Sequence, residues 1–126
     1  MDWEAEAARA FTLGLRVVRM RTGLVLEKEG GVLGKILPIF KAGLGGRLGS
    51  GRQWMSWIHV DDLVTLYIEA LLNPIFEGPL NGVAPNSVTN AEFTETLARV
   101  LHRPAFLPAP EFALKLALGE MAGAVL

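Results

Sequence analysis

The 126-residue chain contains no cysteine, a single tyrosine and two histidines. The absence of cysteine excludes disulfides, thiolate metal ligands and thiol nucleophiles. With 12 Lys and Arg against 13 Asp and Glu, the chain also lacks a global positive field that would attract nucleic acid or an anionic membrane surface. No secretory signal and no membrane span are recognisable in the sequence. We therefore expect a protein of the cytoplasm or of an organelle stroma or matrix.

Hydrophobic residues are abundant at 51%, which is ample for the core of one domain. Glycine is also frequent, with 14 residues, many of them between Gly30 and Gly51. The sequence begins directly on helical spacing and ends on an apolar segment from Met121 to Leu126. Because complete domains usually end in polar residues, we expect both ends to be cut from a longer protein.

Hydrophobic spacing predicts an alternation of helices and strands. Helices are predicted from Trp3 to the cap position Gly14, over 32–44, from Asp61 or Asp62 to 72, after a capping box at 89–92, and from Glu111 onward. Strands are predicted at 15–21, 57–60 and 80–84. The buried face of the helix after the capping box is assigned to Phe93, Leu97, Val100 and Leu101. This order is typical of an α/β layered fold.

A glycine-rich connector runs from Gly43 to Gly51. Glycine lets backbone amides approach an anion closely, so a phosphate-cradling loop is one interpretation. A dinucleotide loop, however, follows a strand and opens a helix, whereas this segment follows a predicted helix and precedes a predicted strand. The order favours a flexible connector that lines a cleft. The nearby Trp54 and Trp57 could floor such a cleft or fill a core, and core packing is favoured.

The two histidines give no clear catalytic or metal pattern. His59 lies in a strand-like segment before Asp61 and Asp62, and Ser56 is the nearest hydroxyl. Residues three apart on a strand alternate faces, so these side chains are not expected to converge as a triad. The favoured interpretation is that His59 packs or hydrogen-bonds within the fold while an Asp caps the next helix. His102 is expected at a helix end, and no metal site is predicted.

Three arginines surround the first predicted strand. The two-residue period places Arg19 and Arg21 on one face and Arg16 on the other. Arg21 comes immediately before Thr22-Gly23, at the carboxyl end of the strand, where α/β sheets bind their ligands. A structural ion pair and a contact with a ligand anion both fit this position.

Several short motifs recur in a recognisable order. The chain carries RTGLVL at 21–26, GLGG at 43–46, GSGRQ at 49–53, WIHVDDL at 57–63, NGVAPN at 81–86 and TNAEF at 89–93. Together they closely resemble the second half of NAD(P)-dependent epimerase/dehydratase proteins, which are extended short-chain dehydrogenases. The resemblance points in particular to an atypical, sugar-nucleotide-epimerase-like subgroup with a small C-terminal domain of unknown function. It covers nearly the whole chain from about Trp3.

The resemblance implies a doubly wound sheet in the complete protein, with NAD or NADP bound by the first half and substrate by the second. The family's glycine-rich dinucleotide loop and its Tyr-x-x-x-Lys pair are absent here, because Tyr67 is followed four positions later by Leu71. No residue is therefore assigned to catalysis, cofactor binding or a metal, and no cofactor is expected on this chain alone. Many relatives have Arg-Asp in place of Met55-Ser56, and that Arg often reaches a nucleotide sugar. Arg52 could substitute for it.

The sequence is thus interpreted as the substrate-side fragment of an NAD(P)-dependent epimerase/dehydratase-like oxidoreductase, inactive alone. In the complete protein the implied reaction is hydride transfer between nicotinamide and a hydroxylated carbon of a sugar-like substrate. The expected fold is the C-terminal part of a Rossmann-like α/β sheet over 1–103. A small, mainly helical C-terminal domain would start at 104 and be truncated at 126. The candidate residues of the substrate cleft are Arg21, Gly23, Arg52, Trp57 and His59.

The alternative is a non-catalytic protein-interaction module on a reductase scaffold, with the apolar segment from Phe112 to Leu126 as its contact face. Some similar proteins carry cell-division-inhibitor labels, which suits this alternative. An independent small-ligand domain is a third, weaker interpretation. For the enzyme fragment, the expected partner is the missing N-terminal half. Without it, the strand from Leu15 to Arg21 would expose an unpaired edge that favours self-association.

Overall fold

A computed structural model describes residues 3–105, which form a mixed α/β structure. Helix α1 (Trp3–Arg9) continues into a 3₁₀ turn (Ala10–Leu13) that ends at Gly14, whose φ is 76°. The elements that follow, in chain order, are β1 (Val18–Thr22), β2 (Leu24–Leu26), α2 (Gly31–Lys41), β3 (Trp54–Met55), β4 (Trp57–His59), α3 (Val60–Leu72), β5 (Gly78–Gly82), β6 (Val88–Thr89) and α4 (Asn90–Leu101).

Two parallel strand pairs form the framework. Strand β1 pairs with β5 from Val18 opposite Gly78 to Thr22 opposite Gly82, and β2 pairs with β4. The N–H of Gly23 donates to the Gly82 carbonyl (3.1 Å), whereas the N–H of Leu24 donates to the Ser56 carbonyl (2.8 Å). Strands β1 and β2 therefore act as one extended segment with β5 on one side and β4 on the other. The short strands β3 and β6 form a separate antiparallel pair.

Helices cover both faces of the β1–β5 pair, as the alternation of side chains along β1 requires. Arg19 and Arg21 lie on the face covered by α1, where both approach Glu4. Met20 lies on the opposite face and packs with Leu63 of α3 over Gly82. The layered α/β arrangement expected from the sequence is therefore confirmed.

The buried core lies between α2, β3 and α4. Its centre consists of Val32, Leu48 and Met55, against which the half-buried residues Leu24, Ile36 and Phe93 pack. Asn90, only 2% exposed, links this core through its side chain. Its Oδ1 accepts from the N–H of Leu48 (2.7 Å), and its Nδ2 donates to the sulfur of Met55 (3.4 Å). Both polar ends of the buried amide are thus satisfied.

The Gly43–Gly51 connector is hydrogen-bonded to the start of α4. Gly43, Gly49 and Gly51 have positive φ, which lets the backbone fold tightly. The carbonyl of Gly51 accepts from the N–H of Ala91 (2.9 Å), and the carbonyl of Leu48 accepts from the side-chain amide of Gln53 (3.1 Å). These hydrogen bonds hold the connector in place.

Several predicted details differ in the structure. Helix α2 begins at Gly31, runs through Pro38 and ends at Lys41, whereas the predicted helix extends to 44. Val100 is 69% exposed and Trp54 is 71% exposed, so their predicted places in the core are wrong. The other residues predicted for the buried face of α4, Phe93, Leu97 and Leu101, are half-buried, and the fully buried positions of this helix are Asn90, Thr94 and Ala98. The capping box at Thr89 and Glu92 is confirmed.

Helices α1 and α3 leave large apolar side chains exposed. They lie on these helices or directly after them: Trp3, Phe11, Leu13, Leu15, Val64, Tyr67, Ile68, Leu71, Leu72 and Ile75. None of the helices within residues 3–105 is long and apolar enough to cross a bilayer. The predicted helix from Glu111 and the small domain assigned to 104–126 lie outside the described residues, apart from positions 104 and 105.

Candidate functional site

The carboxyl ends of β1 and β5 meet at Thr22 and Gly82. Gly23 follows at this edge and lies directly against the strand that begins at Trp57. A Cβ atom added to Gly23 would stand 2.6 Å from the Ser56 carbonyl oxygen and 2.9 Å from a methyl group of Val83. Only glycine therefore permits this close approach of β1, β4 and the segment after β5.

A polar cluster, formed by Ser56, Trp57, Asn86 and Ser87, surrounds this edge. The hydroxyl oxygens of Ser56 and Ser87 are 3.2 Å apart, and the indole N–H of Trp57 donates to the Asn86 carbonyl (3.1 Å). The N–H of Ala84 donates to the Trp57 carbonyl (2.6 Å), which holds the segment after β5 against β4. Exposed hydroxyl groups with a half-buried aromatic ring are groups that can bind a hydroxylated ligand.

Arg21 forms a bidentate ion pair with Glu4 of α1. Its Nε donates to Glu4 Oε1 (2.7 Å) and its Nη2 donates to Oε2 (2.8 Å), while Arg19 lies 3.9 Å from the same carboxylate. The hydrogen bond from Arg21, together with the charges of both arginines, holds the pKa of Glu4 below its ordinary value of 4.5. The same hydrogen bond raises the pKa of Arg21. The structure thus contains the ion pair that is one of the two predicted roles of Arg21.

His59 caps helix α3. Its Nδ1 accepts from the N–H of Asp61 (3.2 Å), and the Asp61 carboxylate lies 3.6 Å from the same nitrogen. The prediction that an Asp caps this helix is therefore wrong, because the helix begins at Val60 and both aspartates lie inside its first turn. Carboxylates there still complement the positive end of the helix dipole.

Arg16 binds the C-terminal end of helix α3. Its guanidinium donates to three backbone carbonyls, those of Ala70 (2.6 Å), Leu71 (2.7 Å) and Phe76 (2.8 Å). The carbonyls at a helix C-terminus lack intrahelical partners, so this cation satisfies them and holds the turn that leads into β5.

The structure brings together some of the predicted cleft residues. Gly23 lies against Ser56 and directly before Leu24, the residue that pairs with Trp57, and His59 ends the same strand. Arg21 lies two residues before Gly23, and its guanidinium lies on the face of the sheet that α1 covers. Arg52 is exposed directly after the connector, and its N–H donates to the Ser50 hydroxyl (3.3 Å). No contact within residues 3–105 joins Arg52 to the other four.

Sequence reasoning missed two partners at this edge. The sequence predicts neither a role for Ser87 nor the pairing of Glu4 with Arg21. Ser56 and Ser87 are 31 residues apart and Glu4 and Arg21 are 17 apart, so local spacing could not reveal either contact. The NGVAPN motif at 81–86 was the only signal near the first pair.

Three backbone amides of the connector already have hydrogen-bond partners. The N–H of Leu48 donates to Asn90, that of Gly43 to the Phe40 carbonyl and that of Gly51 to the Leu48 carbonyl. These three amides are therefore not free to cradle an anion, which disfavours the phosphate-loop interpretation of the connector. Within residues 3–105, no three His, Asp or Glu side chains come together as a metal site.

The chain is similar to proteins named as epimerase family members. It is 52% identical over 125 residues to an Arabidopsis thaliana protein named epimerase family protein SDR39U1 homolog, chloroplastic, which covers 99% of this chain and 36% of that protein. It is 46% identical over 119 residues to epimerase family protein YfhF of Bacillus subtilis, covering 94% of this chain and 39% of that protein. No family model matches the chain.

Solved structures of epimerases are also similar to this chain. The human epimerase family protein SDR39U1, crystallised with NADPH, is 44% identical with a TM-score of 0.80, covering 88% of this chain and 38% of that one. A nucleoside-diphosphate sugar epimerase from Corynebacterium glutamicum is 36% identical with a TM-score of 0.70, covering 98% and 28%. A Thermus thermophilus UDP-glucose 4-epimerase, at 21% identity and a TM-score of 0.64, shares the fold. The chain spans well under half the length of these proteins and matches their C-terminal part.

Proposed function

This chain corresponds to a C-terminal part of NAD(P)-dependent epimerase/dehydratase proteins, and we propose that it supplies the substrate side of such an oxidoreductase. A preceding part would bind the nicotinamide cofactor, because the family's glycine-rich dinucleotide loop is absent from this chain. The cofactor would exchange hydride with a hydroxylated carbon of a sugar-like substrate. The chain alone would be inactive.

The observation that carries this proposal is the meeting of the ends of β1 and β5 at Gly23, beside the polar cluster. Open α/β sheets bind ligands at the carboxyl ends of their strands. The hydroxyls of Ser56 and Ser87 would bind sugar hydroxyls, and the Trp57 ring would form an apolar wall. The relatives named above also favour the enzyme over a non-catalytic interaction module.

The five cleft residues would have different roles. Gly23 keeps the strand ends close together, and Trp57 contacts the substrate. His59 holds the start of α3 and would line the same edge, while Arg52 would reach a substrate phosphate from the connector. The Nε and Nη2 groups of Arg21 donate to Glu4, and the remaining N–H groups of its guanidinium would contact a substrate anion.

The test is to combine the full chain with the N-terminal part of the Arabidopsis relative that this chain does not match. NADPH fluorescence would follow cofactor binding, and absorbance would follow hydride transfer with a panel of nucleotide sugars. We expect saturation by NADPH only in the combined protein, and dissociation constants no better than about millimolar for the chain alone. Micromolar saturation of the chain alone would contradict the proposal.

The role of Arg21 is tested in the same combined protein. Arg21→Lys keeps the charge but loses the planar fork, so substrate binding or turnover should weaken about tenfold or more while the Tm hardly changes. Arg99→Lys, on the exposed side of α4, is the matched control and should change neither. A lower Tm with unchanged turnover would assign Arg21 to the Glu4 ion pair alone.

A further inference from the structure

A small cavity of about 280 Å³ lies between the first helical segment and the amino ends of β1 and β5. Its lining residues come from α1, the 3₁₀ turn, the two strands and the residues directly before them: Ala8, Phe11, Val17, Arg19, Glu77 and Gly78. The N–H of Gly78 donates to the Val17 carbonyl (2.8 Å), so the sheet itself joins two of these segments. The cavity therefore lies at the end of the strands opposite to the edge at Gly23.

Arg19 is the positive group of this cavity, and most of its hydrogen-bonding capacity is unused. A guanidinium has five N–H donors. The Arg19 side chain is 29% exposed, and among residues 3–105 its only charged contact is the Glu4 carboxylate at 3.9 Å, beyond hydrogen-bond distance. Both oxygens of that carboxylate already accept from Arg21. Two arginines therefore share one carboxylate, and Arg19 has donors left for a further acceptor.

Glu77 is the negative group of the same cavity. In the part of the chain that the structure describes, its carboxylate makes no hydrogen bond or ion pair, and it does not reach Arg19. A simple anion in the cavity would be attracted by Arg19 but repelled by Glu77, and a simple cation would meet the reverse. Opposite charges that line one cavity without touching are complementary to a ligand that carries both charges.

The volume and the apolar lining restrict the rest of such a ligand. Ala8, Phe11 and Val17 present apolar surface to the cavity. A Cβ atom added to Gly78 would meet no atom within 4 Å, so the cavity is open at this residue. Small-molecule sites usually have volumes of about 300 to 1,000 Å³, so this cavity lies at the lower limit. It accepts a small zwitterion with a compact apolar side chain.

We propose that this cavity binds a small apolar α-amino acid of about the size of leucine. The carboxylate of the amino acid would accept from Arg19, its ammonium group would donate to Glu77, and its side chain would lie against Phe11 and Val17. This proposal goes beyond the proposed function and does not depend on it, because the cavity and the substrate cleft lie at opposite ends of β1.

The experiment is an NMR titration of the full chain with leucine, following the Nε of Arg19 and the backbone amide of Gly78. Two matched compounds each lack one charge, since 4-methylpentanoate has only the carboxylate and leucinamide has only the ammonium group. Arg19→Gln and Glu77→Gln each remove one charge from the cavity. Arg9→Gln is the control, because Arg9 lies on α1 outside the cavity, in an exposed ion pair with Glu6. Circular dichroism melts would establish that each variant is folded.

We expect leucine to bind with a dissociation constant of about 1 mM, and each compound that lacks a charge to bind about tenfold more weakly or worse. Arg19→Gln and Glu77→Gln should each weaken leucine binding by about tenfold or more, and Arg9→Gln by less than about twofold. The proposal is overturned if leucine does not bind, if 4-methylpentanoate or leucinamide binds as well as leucine, or if both cavity variants bind like the wild type.

The same titration in the combined protein tests whether the cavity remains accessible when the preceding part is present. We expect leucine to shift the same two signals there with an unchanged dissociation constant. Binding that occurs in the chain alone and is lost in the combined protein would also overturn the proposal.

Discussion

At the scale of single residues, Gly23 is the position where one added atom should matter most. Gly23→Ala would press a methyl group against the Ser56 carbonyl, a backbone atom that cannot turn away. We expect a loss of about 1 to 3 kcal/mol in the free energy of unfolding, measured by urea denaturation. Gly30→Ala is the control, because its Cβ meets only the flexible Glu27 carboxylate and should cost about 1 kcal/mol or less. Equal losses would show that the contact at Gly23 relaxes easily.

The Glu4–Arg21 ion pair should make the folded chain sensitive to acid. The pKa of Glu4 is lowered in the folded protein, so its stabilisation is complete above its ordinary value of 4.5 and is lost as the pH falls through the folded-state pKa. We expect the Tm to drop on acidification below that value, and to drop less steeply for Glu4→Gln.

Thermal melts between about pH 7 and pH 3 measure this difference. Glu92 contributes a remaining acid sensitivity in the variant, since the N–H and hydroxyl of Thr89 also lower its pKa. Parallel curves for wild type and Glu4→Gln would show that the ion pair adds nothing to stability.

At the scale of secondary structure, helix α3 can be capped by His59, as the structure shows, or by an aspartate, as the sequence predicts. His59→Ala removes the acceptor of the Asp61 N–H and should cost about 1 kcal/mol, whereas His59→Asn keeps an acceptor and should cost less. Asp62→Ala should cost less than His59→Ala, because Asp62 acts only through the helix dipole. Chemical denaturation of the three variants measures these losses, and the reverse order would restore the aspartate cap.

The elements that sequence could predict are those whose signals are local. The capping box at Thr89, the glycine after the first helix and the parallel α/β order depend on residues within a few positions of each other. The exposure of Val100 and Trp54 depends on which elements pack together, and no local pattern carries that information. Helical spacing predicts this helix and the half-buried positions Phe93, Leu97 and Leu101, but it wrongly adds Val100 to the buried face.

At the scale of the whole molecule, some parts of the candidate site have local sequence signals and others depend on contacts between distant segments. The order of motifs located the strand-end edge and its glycine, because these depend on topology that neighbouring residues encode. The polar cluster joins segments 31 residues apart, and the Glu4 ion pair spans 17, so both needed the three-dimensional structure. The expectation of NAD or NADP in the complete protein rests on the resemblance to a known family, because no residue of this chain indicates a cofactor.

The lone chain should self-associate, because the apolar residues of α1 and α3 have no cover among residues 3–105. We expect sedimentation velocity to show species larger than the monomer whose fraction rises with concentration, and the N-terminal part of the Arabidopsis relative to reduce it. Leu71→Asp should also reduce self-association more than Val100→Asp does. A monodisperse monomer with a cooperative melt would contradict this expectation.

The pairing of β1 with β5 also has a consequence during synthesis on the ribosome. Gly78, the partner of Val18, lies 60 residues later in the chain (78 − 18), so β1 leaves the exit tunnel well before its partner does. At roughly 5 to 20 residues per second, the delay is about 3 to 12 seconds. During that time the edge of β1 that later pairs with β5 is open to misfolding. Synonymous codons that slow translation between α3 and β5 would lengthen this interval, and the yield of folded protein should fall.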